Sequence, residues 1–125
     1  MGHQVMELLL PRLAKRLYGQ VKRFRAGKLS EEEFAQQFAS LLQKQYVWLA
    51  RQGIDESDAA LAIHAGVLVL TRPGLCAAAT EMGIPAEIVE ARAIQNAAKD
   101  VSQHYPIDTN AAFDALSEML ACYGG

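Results

Sequence analysis

The side chains able to do chemistry in this 125-residue chain are few: three histidines, two cysteines, and arginines and lysines crowded near the start. Asp100 and His104 stand four apart and would share one helix face. Such a carboxylate–imidazole pair serves acid–base work or metal ligation, and equally a surface ion pair near a helix C-terminus. His64 lies inside the apolar run Ala59–Leu70. There it is either a satisfied core residue or the polar point of a pocket or subunit contact, and burial would keep it neutral with a lowered pKa. Cys76 follows Pro73-Gly74, and a helix starting there would put its thiol in the first turn, where thiol pKa falls. The alternative is a small packed residue. Cys122 reads as filler between apolar residues of the last helix. No Gly-x-Ser-x-Gly, Cys-x-x-Cys, phosphate-loop glycine pattern or Glu-x-x-His pair occurs. The residues make no positive case for an enzyme, and they assign no cofactor and no metal.

The basic residues form the clearest pattern. Up to Lys28 the chain carries seven bases against the single acid Glu7, a net +6, and the remainder carries −8, for −2 overall. On a helix Arg12, Arg16 and Arg23 fall along one side with Lys15 and Lys22 beside them. These five are candidate anion-docking residues for a nucleic-acid backbone, an acidic lipid surface or an acidic protein. The other reading is a solvated face whose field the acidic remainder partly cancels. Only Tyr18 and Phe24 interleave the bases, which supports no base-stacking platform.

These residues need elements to hold them, and the spacing is helical throughout. Met6, Leu9, Leu13, Leu17, Val21 and Phe24 recur at steps of three and four, and Pro11 either starts or kinks that first helix. Ser30-Glu31-Glu32-Glu33 is a capping box, with Ser30 accepting from the amide of Glu33 and the Glu33 carboxylate reaching back to the Ser30 amide. Phe34, Phe38, Leu41, Leu42, Trp48 and Leu49 continue that second helix to Gly53. Asp55 to Asp58 opens a third, apolar on every side, which belongs at the centre of a fold. Arg72-Pro73-Gly74 is expected to break it at about Thr71, with a short helix from Leu75 to Met82. Gly83-Ile84-Pro85 breaks the chain again, and Ile84, Ile88, Ala91, Ile94, Ala98, Val101 and Tyr105 form the next stripe. Asp108 or Thr109 caps the last helix, which buries Phe113, Leu116, Leu120 and Tyr123.

Two segments are similar to known motifs. Gly27 to Phe34 resembles the second half of an EF-hand loop, but the ligand positions of the first half hold Lys22, Phe24 and Ala26, and a lysine there repels calcium. The stretch 75–94 resembles the helix-turn-helix signature, with Gly83 in the turn and Ala79 before it. The implied recognition helix presents Glu87 and Glu90, which repel a phosphate backbone, and Arg92 occupies a place the motif prefers apolar. An ordinary αα corner accounts for the same glycine and proline.

The expected fold is all-α: one domain over residues 1–125, five or six helices around a central apolar helix at about 56–71. The start of the chain lacks a basic n-region, so it does not read as a signal peptide, and the cytoplasm is the expected location. The Ala59–Leu70 run is shorter than the roughly 20 apolar residues of a bilayer span, so no transmembrane segment is expected. Function is read first as a non-catalytic interaction or assembly domain, whose partner is a second copy in a homodimer or another protein, because an all-round apolar helix needs neighbours on every side. The alternatives are anion docking through the first helix and a small-molecule or metal site at His64 or Asp100–His104.

Overall fold

The computed structural model describes residues 3–27 and 29–124, with no side-chain description for residues 3–8, 24, 25 and 122–124. The expectations placed on Met6, Phe24, Lys28, Cys122 and Tyr123 therefore lie outside the described residues. The chain is 87% helical, without strands among the described residues. Among the described residues the helices are α1 (His3–Ala26), α2 (Glu31–Arg51), α3 (Glu56–Met82), α4 (Ala86–His104) and α5 (Thr109–Gly124).

The helix starts follow local chemistry. The Ser30 hydroxyl accepts from the Glu33 amide at 3.1 Å, and Asp55 Oδ1 accepts from the Asp58 amide at 2.9 Å. The Glu33 carboxylate takes the Ser30 hydroxyl at 3.2 Å, not its amide as the capping box implied. Asp108, not Thr109, caps α5, its Oδ2 accepting from the Asn110 amide at 3.1 Å. At the end of α3, Gly83 adopts φ +69°, and the Ile84 amide reaches back to the Ala79 carbonyl at 2.9 Å. That is the left-handed close that glycine favours.

Two prolines do not act as breaks. α1 runs through Pro11, the ninth residue of the helix and beyond the four amides a helix start leaves free, so the ladder lacks one hydrogen bond there. The expected break at Arg72-Pro73-Gly74 is absent, and α3 continues to Met82 with Pro73 inside it. Arg72 is bound to Glu90 on α4, with its Nε 2.9 Å from Glu90 Oε1, which ties this turn of α3 to its neighbour. Thr71 Oγ1 also donates to the Leu68 carbonyl at 3.2 Å in the turn before Pro73. Tertiary contact outweighs the local signal here.

α3 packs against all four other helices. Ala59, Ala62 and Ile63 join Leu9, Leu10, Leu13, Leu17 and Val21 of α1 and Leu41 and Leu49 of α2 in one core. Ala60, Leu61 and Ala65 join Ile94, Ala98 and Val101 of α4 and Ala112, Leu116 and Leu120 of α5 in the other. The hub is thus narrower than the 56–71 expectation. Residues 59–66 are enclosed apart from the half-buried His64, whereas Val67 to Leu70 are only half-buried. The small buried residues Ala59, Ala60, Ala62, Ala65 and Gly66 let α3 serve two layers at close range. The α4 stripe is also shorter than expected, for Ala91 is exposed and Ile88 is 59% exposed. Because it does not break, α3 is by length and composition long and apolar enough to cross a bilayer. A core helix meets the same two criteria.

Candidate anion-docking face

Arg12, Lys15, Arg16, Lys22 and Arg23 all stand exposed on α1. The buried stripe Leu9, Leu13, Leu17 and Val21 turns the opposite side of the cylinder into the core. Among the described residues the ion pairs are His64–Asp100, Arg72–Glu90 and His104–Asp100, so none of the five α1 cations is in one. No carboxylate among the described residues comes within ion-pair distance of these five cations.

Arg16 is unlike the other four. Its Nε donates to Gln45 Oε1 at 2.6 Å, and its guanidinium carbon lies 4.6 Å from the centre of the Trp48 ring. Gln45 is 3% exposed and its amide nitrogen donates to the Leu41 carbonyl at 3.2 Å. The amide is therefore fixed at both ends, and the guanidinium is fixed in turn by one hydrogen bond and one aromatic face. Beside it a groove of about 370 Å³ opens between α1 and α2, lined by Arg16, Gln20, Gln37, Ser40, Leu41, Lys44 and Gln45. Among the described residues two cations, three amides and a hydroxyl line it, without a carboxylate. Gln45 and the groove were not singled out from the sequence. The signal was present, since Gln45 falls midway between Leu41 and Leu49 on the apolar stripe of α2.

The histidine candidates, read separately from the sequence, come together in space. His64 Nε2 on α3 lies 3.3 Å from Asp100 Oδ2, and His104 Nδ1 lies 3.7 Å from Asp100 Oδ1. His104 Nδ1–H donates to the Asp100 carbonyl at 2.9 Å, which commits that nitrogen to its own helix. The His64 side chain is 30% exposed, not sealed in core. Burial lowers its pKa; the Asp100 charge opposes that and the nearby His104 adds to it. Burial, followed by a hydrogen bond with Tyr105, pushes the Tyr46 phenol above its ordinary value. Among the described residues no group of three His, Cys, Asp or Glu side chains could hold a metal ion.

The remaining candidates are placed as follows. Cys76 lies in the interior of α3, half-buried, not in a first turn, so the dipole argument for a reactive thiol is overturned. In the helix-turn-helix look-alike, Glu90 is engaged by Arg72, and Glu87 and Arg92 are exposed. No family model, no curated protein and no solved structure matches this chain.

Proposed function

We propose that this chain is a non-catalytic docking domain that holds a phosphate-bearing polyanion against the exposed cationic face of α1. One observation carries the reading: Arg12, Lys15, Lys22 and Arg23 stand in water without an ion pair among the described residues. Cations kept free of the chain's own carboxylates retain their field for a partner. From Arg12 to Arg23 the helix rises about 16 Å, the length of roughly five base steps of a duplex. The net −8 of the remaining chain repels the same partner and so orients it toward α1.

The test is anisotropy of a labelled duplex of about 20 base pairs, with acidic phospholipid vesicles as a second arm, at low and moderate salt. Binding that weakens with salt and is abolished in Lys15→Glu/Arg16→Glu/Arg23→Glu supports the reading. Wild-type protein that binds neither probe at low salt refutes it.

A second reading, self-association, rests on a different place. At the α3–α4 turn Met82 is 70% and Ile88 59% exposed, close to the half-buried second half of α3. The first half of α3 is enclosed by the chain's own helices, so a second copy would act at this tip. Light scattering at micromolar concentration tests it, and a strict monomer removes it.

A further inference from the structure

We infer that the groove between α1 and α2 is a binding site for a phosphate monoester dianion, with Arg16 as its fixed fork and Lys44 as its second charge. The inference deepens the docking reading but stands on separate geometry. Four observations meet in this groove. First, Gln45 and Trp48 hold the Arg16 guanidinium by its Nε and one face. Its two Nη groups take no hydrogen bond among the described residues, and a guanidinium presents such a pair of N–H groups in the fork that suits two phosphate oxygens. Second, Lys44 lines the same groove, exposed and without an ion pair among the described residues. Two cations match the two charges of a monoester. Third, Gln20, Gln37 and Ser40 line the walls and offer further donors. Fourth, among the described residues no carboxylate lines the groove, which favours an anion there.

The shape selects the ester. A volume of about 370 Å³ lies within the range of small-molecule sites and exceeds what a bare phosphate fills. A recess also suits a terminal group entering end-on, whereas a diester strand has to run in and out and is better served by the open face of α1. Fixing Arg16 beforehand matters because ordering a long side chain on binding otherwise subtracts from affinity. Gln45, buried and itself anchored to a backbone carbonyl, supplies that order as a positioning residue.

The experiment is calorimetric titration of the whole chain with phenyl phosphate, inorganic phosphate and acetate at matched ionic strength, followed in parallel by emission of Trp48, the chain's single tryptophan. The expected result is saturable binding, tightest for phenyl phosphate and weakest for acetate, with a change in Trp48 emission. Lys44→Gln, an exposed change that leaves the core untouched, raises the phenyl phosphate Kd about tenfold. Acetate equal to phenyl phosphate, an unaffected Lys44→Gln variant, or no saturable heat overturns the inference. The two readings fail separately. Duplex binding without a phenyl phosphate response ends the groove proposal alone, and the reverse ends the α1 docking reading alone.

Discussion

Replacing Gln45 by leucine separates what this residue does for the fold from what it does for the groove. The side chain is 3% exposed on the core-facing stripe of α2, between the buried Leu41 and Leu49. Leucine removes the bond to Arg16, worth about 1.5–3 kcal/mol for a charged partner and toward the lower end where the guanidinium can rehydrate. It also removes the bond to the Leu41 carbonyl, worth about 1 kcal/mol. Against these, burying an apolar side chain of similar size stabilises by about 1.5–3 kcal/mol. The terms nearly cancel, and Gln45→Leu should sit within about 1 kcal/mol of wild type. Gln45→Ala loses the same bonds without the apolar compensation and leaves a void, a loss of about 3–4 kcal/mol. Urea denaturation at unchanged m-value measures both. Meanwhile Gln45→Leu releases the Arg16 guanidinium and should weaken phenyl phosphate binding about tenfold. A leucine variant destabilised by more than about 2 kcal/mol, or one that binds phenyl phosphate as wild type does, shows that Gln45 is there for the fold alone.

Further outcomes follow from other parts of the molecule. Gly83→Ala should destabilise by about 1 kcal/mol, because its φ of +69° is strained for a side chain although open space surrounds it; Gly74→Ala, helical and equally open, should stabilise by about 0.5–1 kcal/mol in the same urea assay. Because His64 titrates lower in the folded chain than in the unfolded one, its contribution is complete above about pH 6.5 and declines as pH falls below that through the lowered folded value. His64→Gln should flatten that part of the stability–pH curve, and an unchanged slope contradicts the assignment. Met82→Glu/Ile88→Glu should abolish any dimer seen by light scattering, and a dimer that survives the change lies elsewhere.

The helical class and most helix starts were legible because they depend on local chemistry. Ser30, Asp55 and Gly83 act through amides within a few residues of themselves, and the α1 stripe Leu9, Leu13, Leu17 and Val21 has one sharp period. The break foreseen at Pro73 failed for the opposite reason. Arg72 meets Glu90 eighteen positions away, and no local rule foresees that pairing. The position of Cys76 fell with it. His64 and Asp100 were each visible as candidates, but their meeting depends on how α4 lies on α3. Gln45 illustrates a third case. A polar residue on an apolar stripe is a signal in its own right, yet its meaning appears only when Arg16 arrives from α1 between it and Trp48 of its own helix.

The central claim, that α1 meets its partner through free cations, is tested most directly by the salt dependence of duplex binding. If the four free cations Arg12, Lys15, Lys22 and Arg23 contact phosphates, log Kobs falls against log salt with a slope of about −3.6, roughly a 150-fold loss between 50 and 200 mM. Lys15→Glu/Arg16→Glu/Arg23→Glu removes two of them together with Arg16 and leaves at most two, a slope no steeper than about −1.8 and a loss of no more than about twelvefold. A steep wild-type slope that flattens in the variant is the predicted result. A slope near zero, or one equally steep in both proteins, contradicts it.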